Sequence, residues 1–349
     1  MINPLQAKHL PVSPTASSEM MDALARKISA GTKRAKLVIA FAETATAVGA
    51  AVAAALGENC AYIATTREIY SDGAWLDFAE EHSHAVTQLL CLDRLPAYLA
   101  ATDEVVFVDD EFSTGQTLLN IVQKLRQNHE AWHEKKIIAA SLINRLTAEN
   151  EARWQNAGIS AESLIKLPWE EYRPTEAVTS PSAPTGEPLP RQMIEAETKL
   201  KNPRRGVIFG EYSRACENLA VEIADKLKDE LSAAEKILTL GTEECMYPAI
   251  KLGQLIEKRC PAARVFCHAT TRSPIGIGQS DGYPIRNGFA LPGLYEADRR
   301  TFVYNLDAYD LAVVVSDAPD FSVEGQTALA RAFGQSGCGS IVFTAVKNV

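Results

Sequence analysis

Two adjacent acids followed by a run of small hydroxyl residues form the sharpest chemical pattern in the chain. In VVFVDDEFSTGQT, apolar residues from Val105 precede Asp109 and Asp110. After the acids comes a turn that leads into the next helical segment and consists of Ser113, Thr114, Gly115, Gln116 and Thr117. Such a turn can direct backbone N–H groups, hydroxyls and a helix dipole at one phosphate. The acids can accept hydrogen bonds from sugar hydroxyls, so the pattern indicates a sugar-phosphate site.

Buried parallel strands are the elements that must position these groups. Apolar runs predict them at Lys36 to Phe41, Ala61 to Thr65, Glu104 to Val108 and Lys136 to Ile143. Helical segments separate these runs, which is typical of a doubly wound α/β domain. Open α/β sheets bind ligands at the carboxyl ends of their strands, where the two acids are expected.

A proline-rich stretch divides the chain. Five of its 17 prolines fall between Pro174 and Pro190, among Ser, Thr, Gly and Glu, which favours an extended linker. We therefore expect one domain at residues 1–172, a linker at 173–203 and a second domain at 204–349. Strands are predicted in the second half at Gly206 to Phe209, Lys236 to Leu240, Arg264 to His268, Leu311 to Val315 and Ser340 to Thr344.

The two halves repeat their local signals in the same order, which predicts tandem copies of one fold. Three segments of the first half have a counterpart in the second, and the two members of each pair share a strand followed by a similar turn. The pairs are Ile39 to Leu56 with Leu238 to Leu255, Ala61 to Glu68 with Val265 to Pro274, and Glu104 to Leu119 with Ala312 to Leu329. In the second copy Asp317 keeps one acid, but Glu324 would repel a phosphate. We expect this copy to be degenerate.

The acidic pair and the Ser-Thr-Gly turn resemble the phosphoribosyl pyrophosphate (PRPP) motif of type I phosphoribosyltransferases. The resemblance spans roughly residues 37–145. It implies that pyrophosphate on carbon 1 of PRPP is displaced by a ring nitrogen of a nucleobase-like acceptor. It also implies Mg²⁺ near Asp109 and Asp110, held mainly through PRPP. An ordinary strand with a Ser/Thr helix cap is the simpler alternative, but it leaves the acidic pair unexplained.

Further pieces occur in the order of that family. Glu43, Thr44 and Ala45 lie where these enzymes hold pyrophosphate. Without the PRPP motif, an ordinary strand-to-helix turn capped by Thr44 or Thr46 would be the preferred interpretation. Arg67 could pair with the pyrophosphate or be a surface residue. His82 and His84 fall in the family's mobile loop and are candidates for pyrophosphate contact or proton transfer, with exposed loop histidines as the alternative.

Departures from the family pattern leave other functions open. Glu111 stands where an apolar residue is more usual, and basic residues are sparse in the pyrophosphate and mobile loops. A non-catalytic PRPP or nucleotide-binding regulator is therefore an alternative. Tandem domains also occur in PRPP synthases, but the sequence contains no recognisable ATP site.

The second half carries Thr271-Arg272-Ser273-Pro274, followed by a Gly-rich loop with Arg286. It resembles the TRSP domain, which follows phosphoribosyltransferase domains in bacterial proteins associated with tellurite-resistance gene clusters. We expect Thr271, Arg272, Ser273 and Arg286 to line a pocket for an anionic ligand.

Composition restricts the class of partner. A net charge of −9 and a pI near 5.3 oppose nucleic-acid or membrane binding. Seven scattered cysteines without a CxxC favour free thiols in the cytoplasm. The expected partners are PRPP and its acceptor, and a homodimer is left open.

Overall fold

The computed structural model describes residues 2–32, 34–78, 88–170, 178–319, 321–347 and 349. The chain forms two compact units. The N-terminal unit contains Met21–Tyr172 and Lys201–Ser213, and the C-terminal unit contains Met1–Met20, Arg173–Leu200 and Arg214–Val349.

Helices and strands alternate along the described chain. The helices are α1 (Pro14–Gly31), α2 (Thr46–Leu56), α3 (Leu95–Ala100), α4 (Gln116–Asn128), α5 (Ala148–Asn156), α6 (Phe209–Lys226), α7 (Lys228–Ala233), α8 (Tyr247–Arg259) and α9 (Val323–Gln335), with 3-10 turns at Glu130–His133 and Pro203–Arg205. The strands are β1 (Ala35–Ala40), β2 (Ala61–Ala64), β3 (Trp75–Phe78), β4 (Gln88–Cys91), β5 (Glu104–Phe112), β6 (Lys136–Asn144), β7 (Ile159–Lys166), β8 (Arg191–Glu195), β9 (Val207–Ile208), β10 (Lys236–Gly241), β11 (Arg264–Ala269), β12 (Gly288–Pro292), β13 (Arg300–Tyr304), β14 (Leu311–Ser316) and β15 (Ser340–Ala345).

The N-terminal unit is built on a sheet of order β7-β6-β5-β1-β2-β9, parallel except for β9. Its central strands are apolar on both faces because helices cover them, as the continuous apolar runs predict. Ala40, the last residue of β1, lies opposite Ala64 of β2 and Val108 of β5. β5 continues beyond that point and pairs with β6 as far as Phe112. The two acids therefore extend past the edge at which β1 ends.

The C-terminal unit repeats this plan. Its parallel sheet has the order β11-β10-β14-β15-β8, which matches β2-β1-β5-β6-β7 of the first sheet. In both units an antiparallel hairpin comes directly after the strand at one end of this order: β3–β4 follows β2, and β12–β13 follows β11. The predicted α/β class with parallel sheets flanked by helices is confirmed, and the sheet order agrees with the sequence repeat.

The structure differs from the expected division of the chain in three places. The strand predicted at Gly206 to Phe209 is β9, which pairs with β2 of the N-terminal unit. Part of the expected linker forms β8, the outer strand beside β15. The first residues join the C-terminal unit, where Val12 and Cys267 exchange backbone hydrogen bonds of 3.1 and 2.7 Å. All three differences arise from pairings between distant parts of the chain, which local composition does not encode.

The described part of the chain contains no disulfide, and all seven cysteines lie within it. None of the helices among the described residues combines the length and apolarity required to cross a membrane.

Candidate functional site

Three segments of the N-terminal unit begin at one edge of its sheet. Because β1, β2 and β5 are parallel and Ala40 aligns with Ala64 and Val108, the residues that follow each strand lie side by side. These segments start at Phe41, Thr65 and Asp109. The predicted pyrophosphate segment, the Thr-Thr-Arg segment and the acidic pair are thus neighbours in space. This edge is where open parallel sheets bind ligands.

Asp109 and Asp110 are partly exposed residues on the extension of β5. The Asp110 N–H donates to Asp109 Oδ1 at 2.9 Å. Although the residue as a whole is partly exposed, protein atoms surround the Asp110 carboxyl and shield it from water, which raises its pKa, and the negative charge of Glu111 raises it further. Hydrogen-bond donors that favour its ionised form, such as sugar hydroxyls, would offset this cost.

The turn after the acids is held by α5. Gly115 has φ +74°, in the left-handed region, and directly precedes α4. The Trp154 indole N–H donates to the Gly115 carbonyl at 3.0 Å, and Phe112 packs edge-on against the Trp154 ring. Gly115 has no side chain with which to cap α4, so the first N–H groups of the helix lack a side-chain acceptor from that residue. The Gln116 N–H donates to Thr114 Oγ1 at 3.3 Å. N–H donors at the start of a helix can bind a phosphate.

Glu111, the departure from the expected apolar residue, has a local explanation. Its Oε1 atom lies 3.1 Å from Nη1 of Arg145, and both side chains are at least 86% buried, with exposures of 14% and 7%. Arg145 also donates from Nη2 to the Glu170 carbonyl at 2.8 Å. Glu111 therefore forms a buried ion pair with the residue that follows β6. Sequence reasoning missed Arg145, whose only signal was its place directly after a predicted strand.

Two polar side chains form hydrogen bonds with the backbone of the predicted pyrophosphate segment. The Ala42 N–H donates to Thr65 Oγ1 at 2.7 Å, and Gln88 Nε2 donates to the Ala42 carbonyl at 2.8 Å. The Thr65 hydroxyl donates to Gln88 Oε1 at 2.5 Å, which completes the connection. Glu43 is 5% exposed and its peptide bond with Ala42 is cis. The supporting residues Thr65 and Gln88 were not predicted as site residues.

Arg67 follows the same edge, two residues after Thr65, and is partly buried. The neighbouring Thr66 pairs with Leu89 of β4, so this segment is anchored to the β3–β4 hairpin. Thr44 and Ala45 lie between Phe41 and α2, as predicted. His82 and His84 lie outside the described residues, and their predicted roles stay untested.

The residues predicted to line a pocket in the C-terminal unit lie in different surroundings. Arg272 Nε lies 2.5 Å from Glu243 Oε2, and Arg299 Nη1 lies 3.4 Å from the same oxygen. Thr271 is fully buried, and its hydroxyl accepts from the Ser273 N–H at 3.1 Å. Arg286, by contrast, is exposed. Arg272 is therefore paired with an acid of its own unit rather than placed on an open surface.

The turn before α9 differs from the turn before α4 in a way that fits a degenerate copy. Ser322 is the N-cap of α9, and its Oγ accepts a hydrogen bond of 3.0 Å from the Gly325 N–H. Gly115, the N-cap of α4, has no side chain to make the corresponding bond. Asp317 accepts a hydrogen bond from the Tyr295 hydroxyl. Glu324 lies in the first turn of α9, where its charge opposes phosphate binding.

Two family models match the chain in succession. Residues 2–167 match a phosphoribosyl transferase family, and residues 203–330 match the TRSP domain that lies C-terminal to it. Among the curated proteins no relative matches. The chain thus carries a phosphoribosyltransferase domain followed by a TRSP domain.

Solved structures with a similar region include two adenine phosphoribosyltransferases and an orotate phosphoribosyltransferase. The Giardia lamblia enzyme, complexed with 9-deazaadenine, is 19% identical, covers 44% of this chain and 81% of its own, and gives a TM-score of 0.32. The Trypanosoma brucei enzyme, in complex with AMP, pyrophosphate and ribose-5-phosphate, is 16% identical, covers 44% of this chain and 66% of its own, and gives a TM-score of 0.32. The orotate phosphoribosyltransferase of Aeropyrum pernix is 19% identical, covers 44% of this chain and 72% of its own, and gives a TM-score of 0.30.

Proposed function

We propose that this chain, with its phosphoribosyltransferase and TRSP domains, transfers ribose 5-phosphate from PRPP to a nucleobase-like acceptor and releases pyrophosphate. The observation that carries the proposal is the strand register that brings residues after β1, β2 and β5 to one edge. Anionic groups of PRPP and its ribose hydroxyls require different partners. The three segments supply both kinds.

Each segment has its own part in the proposed reaction. Asp109 and Asp110 accept hydrogen bonds from the ribose hydroxyls, and the turn 113–117 donates N–H groups and hydroxyls to the 5-phosphate. The segment 41–45 and Arg67 hold the pyrophosphate. The bond from carbon 1 to pyrophosphate breaks, and pyrophosphate leaves with the electron pair. An acceptor ring nitrogen forms the new bond and releases its proton to solvent. Positive charge that develops on the ribose is stabilised by the nearby carboxylates.

The carboxylate oxygens of Asp109 and Asp110 suit Mg²⁺. The described residues contain no cluster of three or more His, Cys, Asp or Glu side chains able to hold a metal ion. We propose that Mg²⁺ is held mainly through PRPP. Bound Mg²⁺ would neutralise charge on the departing pyrophosphate. A cytoplasmic location and a role in tellurite resistance stay predictions.

Substitution of the acids tests the proposal. Pyrophosphate release from Mg-PRPP, measured with a panel of nucleobases, should fall at least about 10²-fold in Asp109→Asn and Asp110→Asn. Asp103→Asn is the matched control, because Asp103 precedes the same strand at its opposite end and pairs with exposed Arg34. Undiminished release in the two site variants would refute the proposal.

A second candidate, a non-catalytic PRPP or nucleotide-binding regulator, is favoured by Glu43. This buried acid belongs to the segment expected to hold pyrophosphate, where a negative charge repels the leaving group. Saturable binding of Mg-PRPP with no pyrophosphate release from any acceptor identifies this second function.

A further inference from the structure

A second groove lies on the N-terminal unit, between α4, α5 and the 3-10 turn Glu130–His133. Its volume is about 650 Å³, within the range of small-molecule sites. Three basic or titratable side chains line it, Arg126, His133 and Arg153, together with amides including those of Gln123 and Asn156. None of the described residues that line it is an acid. In a chain with a net charge of −9, this concentration of positive charge is unusual.

The two arginines are oriented before any ligand arrives. Arg126 donates from Nη1 to the Ala157 carbonyl at 2.9 Å. Its Nε atom is buried and has no hydrogen-bond partner among the described residues. Arg153 donates to Asn150 Oδ1 at 3.2 Å and to Gln116 Oε1 at 2.6 Å. Guanidinium groups held in this way lose less conformational entropy when they bind an oxyanion.

The groove has an apolar side as well. Leu119, Val122 and Ala157 contribute to its lining. A ligand with anionic groups at one end and a flat, less polar part at the other can contact both surfaces. We propose that this groove binds a phosphorylated small molecule of nucleotide size, separate from the PRPP site.

The groove also connects to the PRPP turn. Gln116, which accepts the hydrogen bond from Arg153, belongs to that turn and begins α4. The residue after Arg153, Trp154, donates to the Gly115 carbonyl. A phosphate that draws Arg153 away from Gln116 changes the support of the turn, so occupancy of the groove alters PRPP affinity. This regulatory part depends on the proposed function, whereas binding in the groove does not.

Arginine side-chain NMR tests binding directly, with inorganic tripolyphosphate as the probe and the full chain as the protein. The Nε–H signals of Arg126 and Arg153 should shift saturably, and Arg126→Gln should weaken binding in the groove by about tenfold or more. Arg34→Gln is the control, since Arg34 lies outside the groove and pairs with Asp103. Unmoved arginine signals, or equal affinity in Arg126→Gln, would overturn the site.

Coupling is tested separately by Mg-PRPP affinity at a fixed free Mg²⁺ concentration. Tripolyphosphate should change that affinity by about threefold or more in the wild-type chain and leave it unchanged in Arg126→Gln. An unchanged affinity in the wild type overturns the regulatory part. If Mg-PRPP does not bind at all, the proposed function fails, while the arginine signals still decide whether the groove is a site.

Discussion

Trp154 and Gly115 fit together so closely that the glycine has no room for a side chain. The indole N–H donates to the Gly115 carbonyl at 3.0 Å, and a Cβ on Gly115 would lie 2.5 Å from the indole nitrogen. The positive φ of Gly115 separately disfavours other residues. Two independent constraints thus fix the residue at which the proposed phosphate turn meets α4.

Gly115→Ala should destabilise the N-terminal unit by about 1–3 kcal/mol and weaken Mg-PRPP binding, because both the backbone strain and the Trp154 clash act on the turn. Gly57→Ala separates the two effects. Gly57 also has a positive φ, but a Cβ there meets no atom within 4 Å. Urea denaturation and Mg-PRPP titration should show the larger effect at Gly115; equal effects contradict a role for Trp154.

Breaking the buried ion pair of Glu111 and Arg145 should strongly destabilise the folded protein. Arg145→Met leaves the Glu111 charge buried without its partner, which costs about 3–5 kcal/mol. The double variant Glu111→Leu/Arg145→Met should recover most of that loss because neither charge remains. The exposed pair of Lys124 and Asp77 is the control, with a cost below about 1 kcal/mol. Denaturant unfolding measures the stability of these variants and of the control, and failure of the double variant to recover stability would rule out the charge explanation.

Asp110 should contribute less to stability as the pH rises. Because its folded pKa is raised, its contribution is fully present below the pKa of the unfolded chain and is lost as the pH rises through the folded value. Asp110→Asn, which cannot ionise, should therefore be more stable than the wild type at pH 7 and lose that advantage toward pH 4. Thermal unfolding across this range measures the effect. The same variant should lose PRPP binding, so a gain in stability accompanies a loss of function.

His268 gives the opposite pH dependence in the C-terminal unit. Burial lowers its pKa to about 4, and its Nε2 lies 2.8 Å from the Tyr304 carbonyl. The stability of the neutral form is present above pH 6.5 and is lost as the pH falls toward 4, by about 3 kcal/mol. Hydrogen exchange of β11 amides should show this loss in the wild type and a flatter profile in His268→Gln. His133→Gln, at an exposed position, should keep the wild-type slope; an unchanged slope in His268→Gln contradicts the assignment.

Local pattern was sufficient for the central strands and for the acids at their carboxyl ends. Apolar runs predicted β1, β2, β5 and β6 to within a few residues, since a strand covered on both faces must be apolar along its length. The support for the site could not be predicted this way. Gln88 reaches Ala42, and Arg145 reaches Glu111, across gaps of 46 and 34 residues. Such partners are set by strand order, which single-sequence patterns do not contain.

The same limit explains why the structural units differ from the predicted division of the chain. β8 has an ordinary polar sequence, RQMIE, in a proline-rich surrounding, and only its pairing with β15 makes it a strand. β9 is two residues long, and its partner β2 lies far earlier in the chain. Short edge strands carry little hydrophobic signal because one or both faces stay accessible.

The interleaved units determine how this protein can be dissected. A fragment that starts at residue 204 would lack the outermost strand of its own sheet, together with the N-terminal segment that pairs with Cys267. A fragment that stops at residue 172 would leave β2 with an uncovered edge. Expression of either half as one contiguous piece should therefore yield aggregation-prone material. If both pieces are co-expressed, each sheet is complete only when it contains a strand from the other piece.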